Sequence, residues 1–73
     1  MNIYTIIFDS YDWDQYIGFV IAAKSEQGVL DVIQKELGRY LSAIPIERGY
    51  NMKKIGNTHY RKPKILFESF NAG

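Results

Sequence analysis

Residues 9–19, DSYDWDQYIGF, hold the side chains of this sequence that are best suited to chemistry. Three aspartates stand among tyrosines and a tryptophan, which leaves three roles open: a metal loop, an acidic contact loop or a solvated turn. A calcium loop needs oxygen ligands at alternate positions, glycine at the sixth and glutamate at the twelfth. Counting from Asp9 or from Asp12 places aromatic and aliphatic residues at positions that need ligands. The sequence therefore predicts no metal site here.

Two roles remain open for this acidic stretch. In the first, Asp and Ser side chains bond the local backbone of a solvated turn. In the second, the stretch is a contact loop, because large aromatic side chains anchor the centres of protein interfaces. The candidate partner-binding residues are Tyr11, Asp12, Trp13, Asp14 and Tyr16.

A basic stretch, MKKIGNTHYRKPK at 52–64, is a second candidate contact surface. Basic side chains with an aromatic among them can contact phosphates and stack a base. The candidate nucleic-acid-binding residues are Lys53, Lys54, His59, Tyr60, Arg61 and Lys62. A solvated loop whose charges guard an edge strand explains the same composition, and no nucleic-acid-binding motif accompanies it.

Catalytic chemistry has little support in the sequence. His59 is the only histidine, and the chain has no cysteine to act as nucleophile, thiolate ligand or disulfide partner. A chain of 73 residues also has little room for a deep pocket beside its core. We therefore predict no enzyme activity, no cofactor and no metal. The lack of cysteine and of a signal-peptide pattern favours the cytoplasm.

The remaining sequence predicts one small α+β domain over residues 1–73. NIYTIIFD at 2–9 is rich in β-branched and aromatic residues, and neither of its faces is polar, which indicates an interior strand. YIGFVIAA at 16–23 predicts a second strand, in which strict alternation puts Tyr16 and Phe19 on opposite faces. The short polar link between these strands favours an antiparallel hairpin.

A helix is predicted over about 26–38, fraying toward residue 41. Ser25 is a good N-cap, and Glu26 in the first turn suits the helix dipole. The apolar stripe of this helix consists of Val29, Leu30, Ile33 and Leu37.

After the helix, a proline and a glycine break any regular element over 42–51. NMKKIGN at 51–57 predicts a short polar strand, and KILFESF at 64–70 predicts a last strand. Alternation puts Ile65 and Phe67 on one face of the last strand, with Leu66 and Phe70 on the other. The predicted core aromatics are Tyr4, Phe8, Phe19, Phe67 and Phe70. The predicted order is ββαββ, one helix packed on an antiparallel sheet.

Three segments, 11–27, 53–56 and 65–73, resemble a loose group of short, mostly uncharacterised proteins of phages and prophages. In that group a Tyr/Asp-rich turn leads to a Gly-Phe-Val strand and an Ala-x-Ser/Asp-Glu helix start, and the chain ends on Ser-Phe-Asn-Ala-Gly. The residues that match are Gly18, Phe19, Val20, Ala23, Ser25, Glu26 and Ser69 to Gly73. Residues 38–52 match nothing in the group, and Gln27–Gly28 replaces an acidic, alanine-rich start.

The resemblance implies an accessory protein of a mobile element in a bacterial host cytoplasm. Small phage proteins of this sort include inhibitors of host defence, such as anti-CRISPR proteins. We therefore expect a non-enzymatic module that binds a larger host protein or ribonucleoprotein complex stoichiometrically. Two alternatives stay open: a nucleic-acid-binding accessory protein that uses 53–64, and a homodimeric regulatory subunit that pairs through an exposed sheet edge.

Overall fold

A computed structural model, which describes residues 1–72, shows a four-stranded antiparallel sheet and one α-helix. Strands β1 (Asn2–Phe8) and β2 (Gln15–Ala23) form a hairpin, and helix α1 (Glu26–Leu37) follows. Strands β3 (Tyr50–Asn57) and β4 (Lys64–Asn71) complete the sheet. The order ββαββ confirms the predicted α+β fold. Gly73, the last residue of the Ser-Phe-Asn-Ala-Gly ending, lies outside the described residues.

The β1–β2 hairpin lies at the centre of the sheet, whose strand order is β3-β1-β2-β4. β1 pairs with both β2 and β3, which confirms the prediction of an interior strand. β3 and β4 follow each other in the chain but lie at opposite edges, so residues 58–63 cross one end of the sheet. The acidic loop between β1 and β2 lies at the other end.

Helix α1 starts where its sequence predicts. The Ser25 hydroxyl accepts a hydrogen bond from the Gly28 N–H at 3.1 Å, which satisfies one of the free donors of the first turn. The buried helix residues are Val29, Val32 and Ile33, while Leu30 and Leu37 are half-buried beside them. The buried stripe of the helix therefore includes Val32, which was not predicted, and the predicted residues Leu30 and Leu37 lie at its margin. After Leu37 the chain forms two short 3₁₀ turns within Gly38–Ala43, separated by a kink at Tyr40, instead of a frayed α-helix.

The core lies between α1 and the face of the sheet that α1 covers. Ile44, from the connector after the helix, completes it, although the sequence predicted only an irregular link there. The buried cluster consists of Tyr4, Ile6, Phe8, Phe19, Ile21, Ala23, Val29, Val32, Ile33 and Ile44. No charged side chain is buried in the part of the chain that the structure describes.

Two register shifts between β2 and β4 overturn the predicted faces of these strands. Tyr16 packs on Phe19, with ring centroids 4.8 Å apart, although alternation put them on opposite faces. Ile65 lies opposite Ile21 and Phe67 opposite Val20, so Ile65 and Phe67 do not share a face as predicted. The cause is that an extra residue in one strand of a bulged pair breaks the two-residue alternation.

The structure also corrects the predicted list of core aromatic residues. Tyr4, Phe8 and Phe19 are buried as predicted. Phe67 is 65% exposed and Phe70 is 45% exposed, so their assignment to the core was wrong. Phe67 lies opposite Val20, on the face of the sheet that α1 leaves uncovered, and Phe70 lies near the end of the edge strand β4.

Replacing Ile33 by Ala tests the position of the helix. Ile33 is fully enclosed, so we expect Ile33→Ala to lower the free energy of unfolding by about 3 kcal/mol through the cavity that it opens. Leu30→Ala is the matched control and should cost only about 1 kcal/mol, because this side chain is already half in water. Urea denaturation measures both values. Equal losses would contradict the helix orientation.

Candidate protein-binding site

The loop over residues 9–14 is fixed to the rest of the protein at both ends. The Asp9 N–H donates to the carbonyl oxygen of Gly49 at 2.9 Å, just before β3 begins. The Asp14 N–H donates to the carbonyl oxygen of Asn71 at 2.6 Å, at the end of β4. The loop therefore bridges the two edges of the sheet.

Two side chains, those of Gln15 and Asn71, hold the middle of the loop. The Gln15 side-chain oxygen accepts from the Asp12 N–H at 2.8 Å, and its amide group donates to the carbonyl of Ser42 at 2.9 Å. The Asn71 amide group donates to the Asp12 carbonyl at 3.2 Å. Both backbone polar groups of Asp12 therefore have partners, which restricts the backbone next to Trp13.

Arg48 holds the Asp12 side chain. Its Nη2 atom lies 2.7 Å from Oδ2 of Asp12. This hydrogen bond and the charge of the guanidinium lower the pKa of the Asp12 carboxyl and raise the pKa of Arg48. Both groups are open to solvent, so the pair adds little to stability. Its effect is to orient the loop and to offset one of its negative charges.

Two residues at this end of the sheet have a positive φ angle. Asp14 has φ 59°, a left-handed conformation that aspartate tolerates better than most side chains. Gly49 has φ 95°, and a Cβ atom added there would overlap the Asp9 carboxylate. Glycine at position 49 therefore lets the connector pass directly against the start of the loop.

This scaffold leaves Trp13 in water. Its side chain is 71% exposed, the highest exposure of any large apolar residue in the described chain. Tyr11 is 42% exposed on the same loop, and the carboxylates of Asp12 and Asp14 flank Trp13 in the chain. Trp13 does not belong to the core cluster, so it does not cap the sheet.

Tyr16 has a different role from the other four predicted partner-binding residues. Its ring packs on Phe19 and lies 4.9 Å from the Phe70 ring, so Tyr16 supports the base of the hairpin from the helix side. Burial of the hydroxyl raises its pKa, and the nearby Glu68 carboxylate raises it further. The exposed part of the site therefore consists of Tyr11, Asp12, Trp13 and Asp14.

The six predicted nucleic-acid-binding residues do not form one surface. Lys53 and Lys54 lie on β3, opposite Thr5 and Tyr4, and so point to different faces of the sheet. The other four, His59 to Lys62, lie in the crossing loop 58–63. There Lys62 borders a shallow depression that it shares with acidic residues of α1.

Sequence reasoning missed three residues that shape the hairpin end. Gln15 and Asn71 are polar residues at the ends of apolar strands, a position that could have suggested a role in the adjoining loop. Arg48 is 36 residues from Asp12 in the chain, and no local pattern connects the two.

No protein-family model matches this chain, and neither a curated protein nor a solved structure matches it. Within residues 1–72, no three acidic or histidine side chains are grouped so that they could hold a metal ion. In that same range, no helix has the length and apolarity needed to cross a membrane.

Gly49→Ala tests whether the connector fixes the loop. We expect it to lower the free energy of unfolding by about 2 kcal/mol, because the backbone is strained for any Cβ and the Asp9 carboxylate must move. Gly56→Ala is the matched control, since a Cβ there meets no atom within 4 Å, and it should change stability by less than about 0.5 kcal/mol. Thermal and urea unfolding give both values. A neutral Gly49→Ala would contradict this contact.

The Asp12–Arg48 pair predicts a pH effect with a definite sign. The pKa of Asp12 is lower in the folded protein than its ordinary value of 3.8, so protonation favours the unfolded chain. The small contribution of the pair is present above that ordinary value and is lost as pH falls through the folded pKa. In Arg48→Gln, carboxyl NMR titration should show the pKa of Asp12 rising toward 3.8. Arg61→Gln, at the opposite end of the sheet, should leave it unchanged; an unchanged pKa in Arg48→Gln would contradict the pair.

Proposed function

We propose that this protein is a stoichiometric binding module that docks through its 9–14 loop onto a larger protein. The observation that carries this proposal is Trp13, which is 71% exposed on a loop tethered at both ends. Exposed tryptophan is costly for solubility, and tryptophan is enriched among the residues that dominate binding energy at interfaces. Because the loop is already fixed, little conformational entropy is lost when it docks.

The charge around Trp13 indicates what kind of surface would receive it. Arg48 offsets Asp12, and the same end of the sheet carries further carboxylates at Asp9 and Glu47. An excess of carboxylates around an aromatic anchor suits a basic partner surface with an apolar recess, and such charge speeds correct encounter. Basic surfaces of this kind line the nucleic-acid channels of defence complexes.

The biological setting follows from the resemblance to phage and prophage accessory proteins. We infer that the chain works in a bacterial cytoplasm as an inhibitor of a host defence complex, in the manner of anti-CRISPR proteins. The inhibition is by occupancy and needs no catalytic group, cofactor or metal. Binding of nucleic acid by the host complex would compete with the loop.

Trp13→Ala tests the proposal. We expect thermal stability to stay within about 0.5 kcal/mol of the native protein, because the side chain packs on nothing in the core. Affinity for the partner should fall by about 2 kcal/mol or more, which is roughly thirtyfold. The partner is first captured from bacterial lysate on the native protein and identified by mass spectrometry, and its affinity for each variant is then measured by calorimetry.

Ile55→Ala is the matched control for this experiment. Ile55 is also a large exposed apolar residue, but it lies on β3 outside the loop, so its replacement should leave partner binding intact. The proposal fails if Trp13→Ala and the native protein bind the captured partner equally well. It also fails if Trp13→Ala unfolds the protein, because the side chain would then belong to the core.

A further inference from the structure

A second surface lies on the face of the sheet that α1 leaves uncovered. Residues that are paired across the four strands form three rows on this face, and each row is written below in the order β3, β1, β2, β4. The rows are Gly56–Ile3–Ala22–Lys64, Lys53–Thr5–Val20–Phe67 and Asn51–Ile7–Gly18–Ser69. This surface, called the open face below, holds two lysines and no acidic residue.

No acidic residue lies in these three rows, so the open face carries only positive charge. Glu36 and Glu68 border the same depression as Phe67, along the β4 edge on the helix side. Three of the acidic residues are in the hairpin loop, three on α1 and one in the connector. Glu68 is on β4, but it lies opposite Phe19 and therefore belongs to the helix side. The full set is Asp9, Asp12, Asp14, Glu26, Asp31, Glu36, Glu47 and Glu68.

Lys64 lies in the chain between two exposed aromatic residues, Tyr60 of the crossing loop and Phe67 of β4. Phe67 is 65% exposed, and Lys64 precedes it in the neighbouring row of the same strand. The Lys64 ammonium lies 5.1 Å from the centre of the Tyr60 ring. Lys53 shares the row of Phe67 at the opposite edge, three interstrand spacings or about 14 Å away.

We propose that the open face binds single-stranded nucleic acid. Exposed rings offer stacking platforms for bases, and lysines beside them neutralise phosphates, which is how proteins hold single strands without reading sequence. One base stacks on Phe67 and a neighbouring base on Tyr60, while Lys64 and Lys53 contact the phosphates. A second copy of this chain fits poorly, because face-to-face pairing would bring lysines together with no acid between them. This activity is separate from the protein contact of the hairpin and does not depend on it.

Fluorescence anisotropy with labelled dT12 and rU12 tests the proposal and separates DNA from RNA as the source of the strand. We expect dissociation constants in the micromolar range at about 50 mM salt, with duplex DNA of equal length bound more weakly. Two phosphate contacts predict a slope of log affinity against log salt of about −1.4, and Lys64→Gln should reduce its magnitude by about 0.7. Phe67→Leu keeps an apolar side chain but removes the ring, and it should weaken binding at least about fivefold.

Two controls match these variants. Phe70→Leu alters an exposed ring of the same strand on the helix side, and Lys35→Gln removes an exposed lysine from the last turn of α1. Both should bind like the native protein, and circular dichroism should show that all four variants are folded. The proposal is overturned if neither strand binds, or if Phe67→Leu binds like the native protein. It is also overturned if Lys35→Gln weakens binding as much as Lys64→Gln. Competition by polyglutamate as strong as that by dT12 would overturn it too, because the surface would then be one for acidic protein segments.

Discussion

One physical constraint governs this molecule: a single short helix covers only one face of a four-stranded sheet. The core must therefore be built from the helix side of the central β1–β2 hairpin, with Val29, Val32 and Ile33 closing over it. A domain of this size has no second layer with which to cover the other face or the edge strands. The exposed aromatic residues follow from this shortage, because β4 and the hairpin tip extend past the area that the helix can reach.

The two proposed surfaces use different consequences of this layout. At one end of the sheet, the loop 9–14 is tied down through Gln15, Arg48 and Asn71, so that an exposed tryptophan is carried on a restricted backbone. On the open face, bulges in the β2–β4 pair turn Phe67 away from the core and place it in a row with Lys53. The carboxylates gather at the hairpin end and on the helix, while the open face carries only lysines. The molecule thus presents surfaces of opposite charge.

Elements that depend on local patterns were predicted correctly, and contacts between distant segments were not. The interior position of β1 followed from two apolar faces, and the helix start followed from Ser25. The faces of Tyr16, Phe67 and Phe70 were wrong, because a bulge is set by pairing with another strand and leaves no mark on local alternation. The exposed tip of the hairpin was predicted from its position between two strands. The hydrogen bond from Arg48 to Asp12 joins residues 36 positions apart, so it could be identified only from the folded structure.

Trp13 is the only tryptophan in the chain, so fluorescence excited selectively from tryptophan reports on the central residue of the proposed interface alone. The most direct measurement is the emission maximum and acrylamide quenching of Trp13 in the folded protein, in the unfolded protein and with the captured partner present. If Trp13 is exposed, its emission maximum and its quenching by acrylamide in the folded protein should be close to those in the unfolded protein. Adding the partner should shift the emission to the blue and shield it from quencher. Emission that is already blue-shifted and shielded in the free folded protein, and unchanged by the partner, would contradict this account.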